Sequence, residues 1–589
     1  MLLPLLLAST VCAGPLTTAR PTDTGAALRN PGVGWVLHYY DNIPTNYGSR
    51  LAPSDTVDEF PGLSVVYLRI PWSYVQPAED VFCWSVLDAP LQRWKAVGVQ
   101  AAFRISCSES WMRWATPEWV HEAGAQGYNF TPGREDPDGP YWEPDYDDPV
   151  FLEKLEAFLA AFAARYDGDP DVAFVDVGSY GVWGEGHLWA STGRAYPPST
   201  LIRHIDLHRK YFTRTLLVAN DDWGGQGEGI IEHAQAAGLG LRDDSIMVQP
   251  PPNSYFNGAM AQAFWPTVPT ILESEHYGPS VERGAWGDGS KYIEAMEEYH
   301  ASLASIHWWP DEFLAECRPL IDAMNLRLGY RLLPVEVSWP ESLTIGEALP
   351  LTWSWRNAGV APCYAGGWPA ITLTDAAGGL AAVYVDEGLD VGALPVGAPG
   401  EVLPVESSAS FAPAFNLAAG RYDVWVSVGD RFGTPRYELA LPDGQAKRYR
   451  LGSLQIRGDY DVRIGELRAQ GDGWQLPVDW TLYEPQPGTS PFGHFDGADG
   501  QIAHATGWDE ARGALFAAGG PASVPLWFTV PEAMRGQSFE FYIGLFRPAR
   551  LGQADERLWP DRGRPDRRVH VGRVEIDAAG GVTLTRAAD

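Results

Sequence analysis

The segment FLEKLEAFLAAFAARYDGDPDVAFVDVGSYGVWGEGH (residues 151–187) contains one helix–strand unit of the fold. Apolar residues recur at three- and four-residue spacing over 151–166, which predicts an amphipathic helix. The acidic stretch 167–171 then forms a turn, and the apolar, β-branched run 172–180 predicts a strand buried on both faces. A helix feeding such a strand is the repeating unit of an α/β fold.

The same alternation extends from about residue 30 to residue 330. Amphipathic stretches such as 291–304, and a final helix over 311–331, separate or follow short β-rich runs. The runs that predict strands are 32–40, 63–72, 98–107, 172–180, 215–221, 245–251, 270–277 and 305–309. Eight strands with intervening helices in about 300 residues predict a (β/α)8 TIM barrel.

The composition changes after Tyr330, where helical periodicity gives way to short alternating strands separated by Gly and Pro. This pattern is typical of β-sandwiches. We therefore predict an α/β plus all-β chain. A barrel over 24–331 is followed by an immunoglobulin-like β-sandwich over 332–457 and a second β-sandwich over 458–589.

The N-terminus and the charge of the chain predict its location and its partners. Residues 1–13, MLLPLLLASTVCA, combine an apolar run with a small-residue cleavage pattern, which predicts a signal peptide and a secreted or periplasmic protein. The formal net charge of −32 disfavours nucleic acid and anionic membranes as partners. No other apolar run approaches membrane length, so we expect no membrane insertion. Cys83 and Cys107 fit a disulfide and isolated thiols equally well.

Polar, acidic and aromatic side chains follow the predicted strands. Barrel enzymes place their chemistry at the C-terminal ends of the strands, and aromatic faces stack on sugar rings. The pattern therefore predicts a carbohydrate site, with Trp189 and Trp309 as further stacking candidates. The predicted substrate-binding residues are His38, Arg69, Trp72, Arg104, Trp183, His187, Asn220, Gln249, His276, Tyr277, His307 and Trp308.

Three glutamates are candidates for the chemistry. Hydrolysis of a glycoside needs one carboxyl group to protonate the leaving oxygen and a second to act as nucleophile or base. Glu185 follows the fourth strand, while Glu273 and Glu275 lie on the seventh and share its period-two face. Glu185 taken alone fits a solvated loop carboxylate equally well. The presence of glutamates at both the fourth and the seventh strand ends of one predicted barrel favours a catalytic role.

Three blocks of sequence resemble known enzymes: NPGVGW (30–35), LRIPWSYVQPAEDVFCWSVLDAPLQRWKAVGVQAAFRI (68–105) and VGSYGVWGEGH (177–187). The second block, together with the acid after strand four and the nucleophile on strand seven, resembles clan A retaining glycoside hydrolases. The first and third blocks resemble a family of secreted bacterial glycosidase-like barrels that carry C-terminal β-sandwiches. The resemblance implies that Glu185 is the general acid/base and Glu273 the nucleophile, with Glu275 as the alternative. It also implies that Arg69 positions the nucleophile.

One position departs from the clan A pattern, because Gly184 stands where those enzymes carry an asparagine before the acid. That asparagine donates a hydrogen bond to the 2-hydroxyl of the substrate. The same glycine-rich context also resembles inverting barrels similar to β-amylase. The stereochemical outcome therefore stays open at this point, and Asn220 is a candidate replacement for the missing amide.

We predict an exported glycoside hydrolase that cleaves the O-glycosidic bonds of an oligo- or polysaccharide by retention. A non-catalytic carbohydrate-binding protein on a barrel scaffold is the alternative. His187, His276 and His307 are candidate zinc ligands, but they lack the spacing of a known zinc motif, so we predict neither metal nor cofactor. His204 and His208 are predicted to lie on a solvated helix face.

Overall fold

Eight parallel strands close into a barrel in the computed structural model, which describes residues 15–51, 57, 59–250, 257–412, 417–506, 515–548, 556–563 and 566–587. The predicted signal peptide lies outside the described residues. The strands are β1 (Gly34–His38), β2 (Leu63–Pro71), β3 (Gln100–Ser106), β4 (Val172–Asp176), β5 (Leu216–Asn220), β6 (Gly240–Ile246), β7 (Thr270–Ser274) and β8 (Leu303–Ile306). Each strand pairs with its neighbours in sequence and β8 pairs with β1, which confirms the predicted barrel.

The sixth strand is the one that the sequence misplaces. We predicted 245–251, whereas β6 ends at Ile246 and begins five residues before that prediction. Its sequence, GLRDDSI, does not look like a buried parallel strand because it carries three consecutive charges. Arg242 and Asp243 are nevertheless buried, and both bind partners inside the fold.

Helices cover the outside of the barrel and contribute its apolar wall. In the longest, Pro149–Tyr166, the Asp148 carboxylate caps the first turn by accepting from the backbone N–H groups of Val150 and Phe151, each at 2.9 Å. The longer helices after β2 to β8 are Ser85–Lys95, Pro149–Tyr166, Pro198–Tyr211, Ile230–Ala236, Gly258–Phe264, Ser290–Tyr299 and Pro310–Asn325. A three-stranded sheet, Gly127–Thr131, Arg134–Glu135 and Tyr141–Pro144, is inserted after β3.

The prediction of a solvated face on helix Pro198–Tyr211 is wrong. His204 and His208 are both buried. The His204 Nδ1 atom lies 2.7 Å from Ser179 Oγ, and its Nε2 atom lies 3.1 Å from the Tyr146 carbonyl oxygen. Burial lowers the pKa of His204 to about 3 and that of His208 to about 4, so both rings pack as neutral polar residues.

The chain after the barrel is built from antiparallel sheets around two further apolar cores. The short strand Leu16–Ala19, which precedes the barrel, pairs with Leu332–Pro340 of the first of these regions. The first region has two sheets. One contains the four strands Leu16–Ala19, Leu332–Pro340, Leu349–Asn357 and Val405–Phe411. The other contains Ser342–Thr344, Trp368–Thr374, Leu380–Val385, Gly420–Gly429, Gly444–Gln445 and Arg448–Arg457. The second region's longer strands are Tyr460–Ile464, Gly473–Leu476, Val478–Leu482, Ser490–Asp496, Ile502–Thr506, Ser538–Arg547, Val569–Ile576 and Val582–Arg586.

The cysteines and the helices settle two smaller points. Cys83, Cys107, Cys317 and Cys363 are all free thiols, and Cys107 is buried in the barrel core while Cys83 is exposed. Among the described helices, none combines the length and apolar character needed to span a bilayer.

Candidate active site

A cavity of about 620 Å³ opens at the C-terminal ends of the barrel strands, which is a volume typical of small-molecule binding sites. Five carboxylates and several aromatic side chains face it. The residues lining the cavity are Asn46, Arg69, Ser110, Trp111, Trp183, Glu185, His187, Trp189, Asp222, Asp244, Ser245, Val248, Gln249, Glu273, Glu275, His276 and His307. The three glutamates predicted from the sequence therefore border one space.

The loop after β4 holds Glu185 through closely packed backbone. Gly184 has φ +75°, and a Cβ atom at this position would lie 2.8 Å from the carbonyl oxygen of Gly178. An asparagine at position 184 would require this backbone to move. The departure from the clan A pattern is thus a property of the whole loop and not of one side chain.

Three cationic or polar groups surround the Glu185 carboxylate. Arg104 Nη1 donates to Oε1 at 3.0 Å, Arg69 Nη1 lies 3.8 Å from the same oxygen, and His187 Nε2 donates to Oε2 at 3.3 Å. Burial favours the neutral acid, but the hydrogen bond from His187 and the charges of Arg104 and Arg69 outweigh it. Together they lower the Glu185 pKa to about 2, so this carboxyl group is ionised in the free protein.

Glu273 is the penultimate residue of β7, lines the same cavity and is only 2% exposed. Arg242 donates to its Oε2 atom, while His307 Nδ1 and His38 Nδ1 lie 3.5 Å and 3.8 Å from Oε1. Burial again favours the neutral acid, but Arg242 and the neighbouring cationic groups lower the Glu273 pKa to about 2. Glu273 is therefore a buried, ionised carboxylate that faces a cavity.

Beneath the cavity floor, Asp176 connects the two glutamates. Its Oδ2 atom accepts from Arg104 Nε at 3.0 Å and lies 3.0 Å from Arg242 Nε. Arg104 in turn binds Glu185, and Arg242 binds Glu273. A buried chain of alternating charges thus runs from Glu185 to Glu273 through strands β3, β4, β6 and β7.

Glu275 lies one pleat beyond Glu273 and also faces the cavity, as the strand alternation predicts. It is partly exposed and forms an ion pair with Arg283. Its environment is consequently more solvated than that of Glu273, which favours Glu273 as the less mobile of the two carboxylates.

The structure separates the predicted substrate-binding residues into three groups. Those that line the cavity are Arg69, Trp183, His187, Gln249, His276 and His307. Those that lie behind it and hold lining residues are His38, Arg104 and Asn220, of which Asn220 donates to Asp244 Oδ2 at 2.7 Å. The third group, Trp72, Tyr277 and Trp308, does not line the cavity.

The assignment of this third group to substrate binding is corrected by packing. Trp72 is fully buried in the barrel core, where its Nε1 atom donates to Gln76. Tyr277 donates to Glu316 on the last barrel helix, and Trp308 donates to Glu312 on the same helix. In each case the aromatic residue follows or ends a strand, but its side chain packs into the barrel core or against the last barrel helix and does not line the cavity.

Several site residues escaped the sequence analysis. Asp244 was missed because its strand was misplaced, although its position on a parallel strand could have been found from the Gly240 turn signal. Glu109 and Trp111 lie in the loop after β3, where Trp111 donates to Glu109 at 2.7 Å and Arg69 donates to Glu109 at 3.2 Å. Arg69 therefore pairs with Glu109 as well as lying beside Glu185.

One group of side chains has the geometry of a metal site. Among the described residues, His38, Glu273 and His307 offer ligand atoms within 4.8 Å of one another. Arg242 already donates to Glu273, however, and His307 Nδ1 lies 2.8 Å from the Ser274 carbonyl oxygen. The guanidinium groups beside Glu273 occupy the electrostatic role that a cation would take. Of the other two predicted ligands, His187 lies beside Glu185 and Asp222, and the His276 ring packs against that of His307 with centroids 3.8 Å apart.

Gly186 offers a direct test of how tightly the loop is packed. It has φ +83°, and a Cβ atom there would lie 2.1 Å from the ring of the buried Trp223. We expect Gly186→Ala to lower the free energy of unfolding by about 2–3 kcal/mol and to reduce ligand binding, because Glu185 and His187 flank it. Gly193→Ala is the control, since φ is +70° but no atom lies within 4 Å. Equal losses in the two variants, measured by urea unfolding, would contradict the packing argument.

No protein-family model matches this sequence, and no curated protein matches it significantly. Solved structures show distant similarity. A β-galactosidase from the psychrophilic Marinomonas ef1 shares 13% identity over 49% of this chain and 58% of that chain, with a TM-score of 0.33. A family 10 endo-β-1,4-xylanase from Gloeophyllum trabeum shares 9% over 46% and 83%, with a TM-score of 0.30. A family 42 β-galactosidase from G. stearothermophilus shares 8% over 86% and 100%, with a TM-score of 0.28.

This chain thus spans 58% of the length of the first of these proteins. At such low identities and TM-scores, none of the similarities carries an argument about function. The functional conclusion rests on the residues of the cavity.

Proposed function

We propose that this protein is a glycoside hydrolase, exported by its N-terminal signal and acting on the O-glycosidic bonds of an oligo- or polysaccharide. The observation that carries the proposal is the position of Glu185 in the loop after β4 and of Glu273 on β7. They border one cavity and are held by a shared set of buried arginines.

In the proposed retaining reaction, Glu273 attacks the anomeric carbon while Glu185 protonates the leaving oxygen. A glycosyl ester then forms on Glu273. In the second step water attacks the anomeric carbon of this ester, and Glu185 accepts a proton from that water. Arg242 keeps Glu273 ionised and oriented before the attack. The histidine rings on the β1, β7 and β8 ends contribute neutral surface, since burial lowers the pKa values of His38, His276 and His307.

The rim of the cavity supports a carbohydrate substrate. Trp189 is 67% exposed, and the Trp183 ring lies at 80° to it with centroids 6.4 Å apart. An exposed indole at a cavity mouth provides a flat apolar face on which the C–H groups of a sugar can stack. The carboxylates deeper in the cavity are acceptors for sugar hydroxyl groups.

The test is a screen of aryl glycosides and polysaccharides, with hydrolysis followed by proton NMR from the first turnover. We expect the first-formed anomer to have the configuration of the substrate. Initial formation of the opposite anomer would contradict retention but not hydrolysis. Binding of a sugar without any turnover would instead support the second candidate, a carbohydrate-binding protein, which the low pKa of Glu185 in the free protein favours.

Trp189→Ala is expected to raise KM by about 5- to 10-fold for an oligosaccharide, with a smaller change in kcat, because stacking is lost at an exposed position. Steady-state kinetics and isothermal titration calorimetry measure the effect. Phe432→Ala is the matched control. Phe432 is an aromatic residue that is 82% exposed and lies in the turn after strand Gly420–Gly429, outside the barrel. An unchanged KM in Trp189→Ala would contradict a sugar platform at this residue.

A further inference from the structure

Glu109 is a buried carboxylate for which the two-glutamate reaction has no role. It lies in the loop after β3 and is only 1% exposed. Two residues that line the cavity, Arg69 and Trp111, both bind it. A buried carboxylate lowers the stability of a fold unless several donors satisfy it, so its partners indicate its role.

Three donors hold the Glu109 carboxylate. Ser106 Oγ donates to Oε1 at 2.6 Å, and Trp111 Nε1 donates to Oε2 at 2.7 Å. Both of these partners belong to the end of β3 or to the loop that follows it. The third donor, Arg69 Nη2, comes from β2 and lies 3.2 Å from Oε2. The β3 segment therefore holds the carboxylate through its own side chains and presents one oxygen to a guanidinium group of the neighbouring strand.

Arg69 lies between two carboxylates and contacts them unequally. Its Nη2 atom forms a hydrogen bond with Glu109, whereas its Nη1 atom lies 3.8 Å from Glu185 Oε1, an ion pair that is longer than a hydrogen bond. Arg104 Nη1 already donates to the same Glu185 oxygen at 3.0 Å. Glu185 therefore has one guanidinium group in a hydrogen bond and a second one at a greater distance.

This placement of Arg69 differs from the one that the resemblance to clan A enzymes implies. That resemblance implies that Arg69 positions the nucleophile. In this structure the Glu273 carboxylate accepts from Arg242 on β6, and the ion pairs of Arg69 are with Glu109 and Glu185. Arg69 is therefore placed to influence the acid.

The distance from Arg69 to Glu185 affects the strength of Glu185 as an acid. Glu185 must take up a proton before it can pass one to the leaving oxygen. A guanidinium group favours the ionised carboxylate, and this effect increases as the two charges approach each other. A second guanidinium hydrogen bond to Oε1 would therefore oppose protonation more strongly than the 3.8 Å contact does.

We propose that Glu109 is a positioning residue for the acid: by binding Arg69 Nη2, it keeps Nη1 from forming a hydrogen bond with Glu185, so that Glu185 can take up a proton. The inference rests on the proposed hydrolase function and deepens it. In this scheme Glu109 acts on the reaction through Arg69 and does not contact the substrate.

The test compares Glu109→Gln with wild type on two glycosides of one sugar. The amide keeps the shape of the side chain and can still accept from Trp111, but it removes the charge that competes for Arg69. A 2,4-dinitrophenyl leaving group needs no protonation, whereas an alkyl leaving group does. We expect kcat/KM to fall at least about 10-fold for the alkyl glycoside and less than about 3-fold for the dinitrophenyl glycoside. Equal losses on both glycosides, or no loss on either, would overturn the proposal.

A second background shows whether Glu109 acts through Arg69. The quantity compared is the ratio of kcat/KM for the alkyl glycoside to kcat/KM for the dinitrophenyl glycoside, because a loss of folded enzyme cancels in this ratio. We expect Glu109→Gln to lower the ratio at least about 10-fold in wild type but to change it less than about 3-fold in Arg69→Met. An equal lowering in both backgrounds would overturn the proposal.

Two controls separate this effect from packing. Trp111→Phe removes the other donor to Glu109 Oε2 and should leave the ratio within about 3-fold, whatever its effect on sugar binding. A ratio lowered as far as in Glu109→Gln would assign the effect to the loop and overturn the proposal. Asp206→Asn is the matched exchange of a carboxylate for an amide, because Asp206 forms a surface pair with His233 at 2.8 Å and should leave both substrates unaffected.

A further readout does not depend on activity. Crystal structures of wild type and Glu109→Gln give the distance from Arg69 Nη1 to Glu185 Oε1, which we expect to fall below about 3.2 Å in the variant. An unchanged distance would overturn the proposal even in an active enzyme. If wild type hydrolyses neither glycoside while the distance shortens in the variant, the proposed hydrolase function fails and the placement of Arg69 by Glu109 stands.

Discussion

Glu273→Gln is expected to reduce kcat/KM at least about 1000-fold, because an amide cannot form the glycosyl ester on which the proposed reaction depends. The substitution keeps the shape of the side chain and removes its charge. Arg242 then loses its carboxylate partner at this end of the charge chain, so folding must be verified by circular dichroism. Steady-state kinetics on a dinitrophenyl glycoside measure the effect.

The second strand-seven glutamate supplies the control. Glu275→Gln is expected to lower kcat/KM by less than about 10-fold, since Glu275 is solvated and paired with Arg283. Glu273→Gly with added azide should recover activity and release a glycosyl azide of inverted configuration. Recovery by azide in Glu275→Gly and not in Glu273→Gly would reverse the assignment.

Asp176→Asn is expected to destabilise the protein by about 3–5 kcal/mol, because it leaves two buried guanidinium groups without their shared carboxylate. Arg104 and Arg242 are each only 1% exposed, so water cannot replace the lost charge. Urea unfolding followed by tryptophan fluorescence measures the change. We also expect activity to fall in the folded fraction, since these arginines hold Glu185 and Glu273.

Asp206→Asn again serves as the comparison. Its surface interactions with Arg209 and His233 should contribute no more than about 0.5 kcal/mol. A loss below about 1 kcal/mol in Asp176→Asn would show that the arginines find other partners, and that the charge chain does not hold the two glutamates.

The barrel could be predicted because its strands are local, apolar and regularly spaced. β4 is an example, since its β-branched residues follow a helix with a clear apolar face. Glu185 and Glu273 were found for the same reason: each follows or ends such a strand, and the carboxyl ends of parallel strands meet at one mouth. Their positions in the sequence, relative to the predicted strands, were sufficient to predict that these two residues face the same cavity.

β6 and helix Pro198–Tyr211 were misread because their polar residues are buried with partners far away in sequence. Arg242 is paired with Asp176 and Glu273, and His204 is held by Ser179 and Tyr146. A residue's own sequence neighbourhood does not show whether such a partner exists. The rule that charged residues are solvated therefore fails at these sites.

Periodicity along the chain was sufficient to establish the barrel, the β-rich regions that follow it, and the pair of strand ends that carries the candidate carboxylates. Those features depend on local hydrophobic patterns, which a single sequence displays. The ionisation of Glu185 and the raised pKa of Asp222 depend on burial and on charged residues that lie on or directly after β2, β3, β4 and β6. The orientation of His187 depends on the rings of Trp183 and Trp189. Only closure of the barrel brings those charges within a few ångströms, where electrostatic interactions are strong enough to decide which carboxyl group holds a proton.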